Sequence, residues 1–373
     1  MSNRAGSDRQ AADPLIWILR STGLGADRQL ANLAGALSAR TRWIDTLDPT
    51  PRALFERLTA AERRPIPAAK RGLLQPPWPD LVLFSGGRSL VDALRIRRAS
   101  GGRSKIVCIG RTGGALDRVD LVLTTPQYCL PEHPNVVHLD LPLNFVDEAA
   151  LVLGRRKWQA TFKAWPRPWH GVLLGGSSGS YRFDAPAGRR LGDALQALVG
   201  RCGGSLLITT SPRSGAAMVE AMLAGLEGEH YVYRWSPEAD ENPLAGIFAL
   251  ADDFVVTADS ASMLAEACLL GRPVAVFEPP LDWRARWLDR RRLQPARDSS
   301  GHLPRPSRRD RWTARGRWIP ARRMQRIHRQ LESQGLITPI DQLGPDAPPA
   351  LSGAGRSDLQ RAVEAVRRLL EPA

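Results

Sequence analysis

The stretch VVTADSASMLAEACLLGRPVAVFEP, residues 255–279, decides how the rest of the chain is read. Phe254–Thr257 is short, apolar and β-branched, as suits a strand covered on both faces. A polar loop follows, Ala258-Asp259-Ser260-Ala261-Ser262. Asp259 or Ser260 can cap a helix that runs through Leu270, with Gly271 at its end and Pro273 just beyond. The unit is therefore strand, loop, helix, strand. At the helix start, backbone N–H groups without intrahelical partners and the positive end of the macrodipole together receive an anion. Glu266 lies roughly 6–9 Å further along the axis at 1.5 Å per residue. That is about the span from a nucleotide's diphosphate to its ribose, whose two hydroxyls a carboxylate can accept while Ala265 leaves room for the sugar. The plainer alternative is a capping serine and a solvated glutamate.

Outward from this unit, apolar runs alternate with helical patterns and glycine-bearing loops, the signature of βαβ units and a parallel sheet. In the first half strands are expected near Leu15–Leu19, Leu81–Phe84, Lys105–Ile109 and Leu121–Thr124. Leu30, Leu33, Ala34 and Leu37 mark a helix between the first two. Pro166 and Pro168 break the pattern, and it then restarts. Strands are expected at Gly171–Leu174, Ser205–Thr209, Tyr231–Trp235, Phe254–Thr257 and Pro273–Phe277, with helices at Leu191–Val199 and Ala216–Ala224. Two further helices are expected at Ala321–Ser333 and Ser357–Leu370. The expected architecture is α/β, two Rossmann-like doubly wound domains facing a cleft: 14–165 on the acceptor side and 170–280 on the donor side. A basic Trp/Arg-rich segment, 281–335, and a loop with a terminal helix, 336–373, complete the chain.

With 373 residues, 43% of them hydrophobic and 24% charged, the composition is that of a globular protein long enough for two cores. No apolar run approaches the length of a bilayer span, and Leu15–Leu19 is too short for the core of a signal peptide, so a cytosolic location is expected. Cys108, Cys129, Cys202 and Cys268 stand far apart, with no spacing that suggests zinc or a disulfide scaffold. The net charge of +14 is concentrated: residues 282–330 hold sixteen arginines and four aspartates, with no lysine or glutamate. Such a segment suits an anionic membrane surface, a nucleic acid or an acidic partner, or it is simply a solvated face. Trp283, Trp287, Trp312 and Trp318 interleave the arginines, a pattern that suits a membrane interface and that a nucleic acid could use as well. No helix-turn-helix or zinc motif supports nucleic acid.

The opening stretch resembles the donor-nucleotide site of glycosyltransferases of the two-Rossmann-domain GT-B architecture, including the type that transfers N-acetylglucosamine to a lipid-linked acceptor. More specifically, the chain resembles the plant mitochondrial fission (elongated-mitochondria) family and its bacterial relatives, read as nucleoside-diphosphate-sugar glycosyltransferases. The match runs over roughly residues 14–280. It takes in WILRSTGLGADRQLANLAGAL (17–37), PNVVHLDLPLN (134–144), VLLGGSSGSYRF (172–183), ITTSPRSG (208–215), ENPLAGIFALAD (241–252) and TADSASMLAEACLLGRPV (257–274). Thr257, Asp259, Ser260, Ser262, Met263 and Glu266 fall on the family pattern. Two departures stand out. Pro212-Arg213-Ser214 replaces the family's Arg-Arg-Thr, and only Thr125-Pro126-Gln127-Tyr128 and His133 remain of a first-half motif.

The resemblance implies a nucleotide-sugar donor bound by Gly175, Gly176, Ser177, Ser178, Thr209, Ser211, Arg213, Asn242, Asp259, Ser260, Ala261, Ser262, Met263 and Glu266. No DxD motif stands in a suitable loop, Asp252-Asp253 preceding a strand, so no metal or other cofactor is expected. Glycines after a strand let N–H groups approach a phosphate, and Arg213 can pair with it. On the acceptor side stand Gly23, Gly25, Asp27, Gln29 and His133, with Asp27 and His133 available as bases though each also reads as structural. The implied activity is transfer of a hexosyl or N-acetylhexosaminyl group to a glycolipid or envelope saccharide. A non-catalytic membrane adaptor that keeps the fold is the competing reading. Base, sugar, acceptor, stereochemical outcome and oligomeric state are left open.

Overall fold

Short runs that are buried on both faces make parallel strands covered by helices, because they have no polar side to turn toward water. LVLFS and SLLIT are such runs, at Leu81–Ser85 and Ser205–Thr209. The computed structural model describes residues 13–21, 23–45, 72, 74–112, 116–177, 181–239, 241–281, 307–350 and 354–371. Among the described residues the strands form two six-stranded sheets, with every pair parallel.

The first sheet is built from β1 (Leu15–Leu19), β2 (Arg40–Ile44), β3 (Leu81–Ser85), β4 (Lys105–Ile109), β5 (Leu121–Thr124) and β6 (Val136–His138), in the order β2-β1-β3-β4-β5-β6. Helix α1 (Leu24–Ala36) lies on one face, where Leu30 and Leu33 share a core with Ile16, Ile18 and Leu83. On the other face α2 (Gly87–Ala99) buries Leu90 and Leu94 against Trp17, Val82 and Phe84. The winding reverses between β1 and β3.

The second sheet contains β7 (Trp169–Leu173), β8 (Ser205–Thr209), β9 (His230–Tyr233), β10 (Asp253–Thr257), β11 (Val274–Phe277) and β12 (Thr338–Pro339). Its order, β12-β11-β10-β7-β8-β9, reads 3-2-1-4-5-6 from the far edge when β7 is counted as first, which is the Rossmann order. Helices α4 (Ala185–Cys202) and α5 (Ala216–Leu223) cover one face through Leu191, Leu195, Met218 and Met222. The other face carries α6 (Leu244–Leu250) and α7 (Ala261–Leu269), with Ile247 and Leu264 against Leu207 and Phe254. The switch point lies between β7 and β10, which places the loops after Leu173 and Thr257 side by side.

Two helices cross between the halves. Helix α3 (Glu148–Phe162) precedes the Pro166/Pro168 linker, yet its Phe162 packs in the second core and lies 5.2 Å from the Tyr231 ring. After α8 (Arg308–Ala314) and α9 (Met324–Ser333), helix α10 (Ala354–Leu370) returns to the first sheet, with Ala362 and Val366 in the core of Leu30 and Leu121. Asp358 on α10, itself buried, accepts the backbone N–H groups of Asp140 and Leu141 at 3.0 and 2.8 Å. That fixes the segment leading to Asn144. The helix expected from Ala321 begins at Met324, because Arg323 is extended and gives its N–H to the Gln127 carbonyl, 2.7 Å away. Within 282–330 only 307–330 are described; Trp283, Trp287 and the rest of 282–306 lie outside the described residues.

Candidate functional site

The β10–α7 loop forms as its residues dictate. Ser260 is extended, with φ −114° and ψ 93°, and its Oγ accepts the Met263 N–H at 3.4 Å, so Ser260 is the helix cap. The N–H groups of the first turn, Ala261 and Ser262, point out of the helix end. Gly175 and Gly176 come alongside from β7. Gly175 donates its N–H to Thr257 Oγ1 at 2.8 Å, and Gly176 donates to Asp259 Oδ2 at 3.0 Å. Thr257 Oγ1 donates in turn to Asp259 Oδ1 at 2.8 Å. A Cβ on Gly176 would stand 1.9 Å from the Arg213 carbonyl oxygen, so the loops meet backbone to backbone.

Asp259 is thereby an internal anchor. It is 1% exposed, and Arg213 Nη2 lies 3.0 Å from its Oδ2. Burial pushes its carboxyl above the ordinary range, opposed by the Gly176 N–H, the Arg213 charge and the Thr257 hydroxyl. Ser214 Oγ donates to the Gly175 carbonyl and receives the Ser211 N–H at 2.9 Å. The loops after β7, β8 and β10 are thus tied into one floor.

Glu266 faces the first half. It is 6% exposed, and its Oε1 accepts from Asn144 Nδ2 at 2.9 Å and from Arg28 Nη1 at 3.5 Å. Burial raises its pKa, opposed by the Asn144 amide and then by the Arg28 charge. The starts of α1 and α7 abut, since a Cβ on Gly25 would lie 2.9 Å from Ser262 Oγ. Between them is a cavity of about 50 Å³, lined among others by Gln29, Gln127, Tyr128, Ala261, Ser262 and Arg322. Three buried atoms at this junction have no hydrogen-bond partner: Asn144 Oδ1, Gln127 Oε1 and Arg322 Nε.

The structure gathers Gly175, Gly176, Arg213, Asp259, Ser260, Ala261, Ser262 and Glu266 at the switch point. Thr209 and Ser211 sit on and just after β8, both buried. Ser177 Oγ takes the Phe183 N–H at 3.0 Å, and Asn242 Oδ1 takes the Leu244 N–H at 3.0 Å, so each of these side chains also shapes its own loop. Met263 is partly buried in the second core. Ser178 lies outside the described residues. On the facing side, Gly23 precedes α1, Asp27 Oδ1 accepts the Ser21 N–H at 2.8 Å, and Gln29 Nε2 donates to the Gly25 carbonyl at 3.2 Å. His133 is not brought to this place. It precedes β6 at the amino end of the first sheet, its Nε2 3.1 Å from Asp117 and its Nδ1 bonded to Asn135. Sequence reading missed Asn144, Arg28 and Arg322. Asn144 does close the quoted PNVVHLDLPLN motif, which was the available signal.

Two parallel doubly wound sheets whose carboxyl ends meet at one cleft, one of them in Rossmann order, define a two-domain α/β protein of GT-B architecture. Its family is equally clear: the profile described as Mitochondrial fission ELM1 matches residues 24–294, and the chain belongs to that family. It is 30% identical over 219 residues to Mitochondrial fission protein ELM1 of Arabidopsis thaliana, an alignment covering 52% of this chain and 51% of that one. The chain thus spans about half the length of the curated relative it matches. Among solved structures, MurG of Acinetobacter baumannii aligns over 96% of this chain and 98% of its own, at 15% identity and a TM-score of 0.45. The glycosyltransferase SnogD of Streptomyces nogalater aligns over 96% and 95%, at 14% identity and a TM-score of 0.46. The strand orders, rather than these distant likenesses, define the architecture.

Proposed function

We propose that the cleft binds a nucleoside-diphosphate sugar and that the protein transfers the sugar to an acceptor presented from the first half. The observation that carries this reading is the coincidence, at the second sheet's switch point, of the free N-terminus of α7, the Gly175–Gly176 turn and a buried carboxylate, Glu266, further along the same helix. Open α/β sheets bind ligands at such a point. The diphosphate would take the α7 N–H groups and the Ser262 hydroxyl. The ribose would exchange its hydroxyls for the Asn144 and Arg28 contacts on Glu266. Negative charge that grows on the leaving diphosphate would be stabilised by the helix end, already oriented before reaction. Arg322, with an unpartnered Nε beside the cavity, is a further donor toward that charge. Asp27, in the first turn of α1, is the acceptor-side carboxylate available to take a proton.

The test is the melting temperature with millimolar UDP, GDP, ADP and CMP, for the wild type and for Glu266→Ala, since a ligand of the native state alone raises it. A rise with one nucleotide that is lost in the variant supports the reading and names the base.

One observation favours the adaptor reading instead. Glu266 Oε1 is already occupied across the cleft by Asn144 and Arg28, as in a contact that only holds the two halves together. No melting shift with any nucleotide would favour it. Among the described residues no helix is long and apolar enough to cross a membrane. We propose peripheral attachment through the basic segment, where Trp312 and Trp318 are 45% and 49% exposed. Binding to anionic but not neutral vesicles supports this, and equal retention on random DNA counts against it.

A further inference from the structure

At the amino end of the second sheet, away from the cleft, lies a groove of about 270 Å³. Arg155, Gln159, Arg167, Trp169, Asp252 and Arg272 line it. β7 starts at Trp169 and β10 at Asp253, so this groove and the switch point occupy opposite ends of the same strands. Its volume approaches the lower end of the small-ligand range, about 300 Å³.

Three guanidinium groups share this groove with a single carboxylate. Arg272 comes up from below, donating to the carbonyls of Phe248, Ala249 and Ala251 at the carboxyl end of α6. Arg155 on α3 donates to the Ala249 carbonyl as well. Arg167 pairs with Asp252 Oδ1 and lies 4.2 Å over the Trp169 ring. Asp252 is divided, because its Oδ2 accepts the Trp169 N–H at 2.7 Å. The helix end offsets part of the charge. The remaining excess is about two positive charges. Burial lowers the Arg272 pKa, and the Arg155 charge adds to that effect while Asp252 opposes it.

Holding three like charges together without an anion costs free energy, and the fold does not need all three for capping. Arg272 reaches all three α6 carbonyls and Arg155 only one of them, while Arg155 is exposed and Arg167 is 55% exposed, each with N–H donors to spare. Planar guanidinium forks suit phosphate oxygens, and bidentate pairing with them is strong.

We propose that this groove is a second anion site, taking the phosphate group of a ligand between Arg155, Arg167 and Arg272, with Trp169 as its apolar wall. The phosphate has two chemical sources, a free phosphate compound or a lipid headgroup. Val152, 51% exposed and three residues before Arg155 on the same helix, gives the second source an apolar contact.

The experiment titrates the full-length chain with inorganic phosphate and, separately, with phosphatidylglycerol/phosphatidylcholine vesicles. It compares the wild type with Arg155→Gln/Arg167→Gln and with Arg213→Gln, which alters only the cleft. The expected result is a loss of roughly tenfold in affinity in the double variant in at least one arm, and the same loss when the two substitutions are added to Arg213→Gln. Loss in the phosphate arm alone identifies a free phosphate compound; loss in the vesicle arm identifies a headgroup. Binding that the double variant leaves intact in both arms, or that only Arg213→Gln removes, overturns the proposal. Both substituted side chains are exposed, so the variants fold, and circular dichroism verifies it. The outcome is independent of whether the cleft binds nucleotide.

Discussion

Asn144 and Glu266 stand 122 residues apart in sequence and meet across the cleft, the amide Nδ2 donating to the carboxylate Oε1 at 2.9 Å. One residue belongs to the turn after β6 and the other to α7, so a single hydrogen bond reports the closure of two domains.

The buried carboxylate gives this contact a pH signature. Because burial raises its folded pKa, the stability contributed by Glu266 is fully present below the ordinary glutamate value of 4.5 and is lost as pH rises through the folded pKa. Glu266→Gln removes that loss. The variant should therefore gain on the wild type in urea denaturation between pH 4 and pH 7. A stability difference that does not change with pH would mean that the carboxylate feels no burial.

Arg213 and Asp259 form the charged pair under the loops after β7, β8 and β10. Arg213→Gln leaves a buried carboxylate held by the Gly176 N–H, the Thr257 hydroxyl and its own backbone N–H, with no opposite charge from Arg213. Because Arg213 is 43% exposed, solvent screening limits the expected cost to about 1 kcal/mol. Asp259→Asn in the Arg213→Gln background should recover part of it. A double-mutant cycle that sums to zero would show that the two charges are uncoupled.

Gly176→Ala tests the floor of the site. The added methyl meets a backbone oxygen rather than a flexible side-chain tip, so the loop must shift, at about 1–3 kcal/mol. The shift also pulls the Gly176 N–H from Asp259. Nucleotide-dependent melting, where the wild type shows it, should fall together with stability; full retention of both would place the Arg213 loop elsewhere in solution.

His170 is a second reporter, on the far side of the second sheet. It is completely buried, with Nδ1 2.9 Å from Asp253 and Nε2 3.1 Å from the Gly203 carbonyl. Burial opposes the charged ring, but the Asp253 hydrogen bond and charge outweigh it and the pKa is raised. Its stabilisation is thus complete below the ordinary imidazole value of 6.5 and declines as pH rises through the folded pKa. His170→Asn should cost about 1–3 kcal/mol at pH 5.5 and less at pH 8.5. Equal urea midpoint shifts at the two pH values would argue against a protonated ring.

Most of the architecture was legible in the sequence because parallel strands are nearly continuous apolar runs. The β10–α7 unit was read to within a residue, and Ser260 caps α7 as its side chain suggests. Three strands escaped. β2 reads RTRWI, an exposed edge with only Ile44 buried; β6 has three residues; β12 is a Thr-Pro pair recruited by β11. Helix α3 escaped because Val152 and Leu153 point to solvent and blur its apolar stripe. At the site, residue types announced a helix end fit for an anion, but not where Asp259 points. Its carboxylate turns inward to tie three loops, and only the fold could bring Gly176 and Arg213 to it. Asn144 and Arg28 were equally hidden, since nothing local pairs them with a carboxylate more than a hundred residues away.

Helix α10 sets the order in which this molecule can be completed during synthesis. The part of the first sheet beside α1 that carries Val107 and Leu121 has its cover only when Ala362 and Val366 arrive, after every strand of the second sheet has been translated. A nascent chain leaving the ribosome therefore carries an apolar face without its lid for most of its elongation, whereas the second core is completed earlier, once Ile327, Leu331 and Ala350 have followed its strands. Chaperone binding should fall on the earlier half, and a stop codon just before residue 354 would leave that half as the aggregating one.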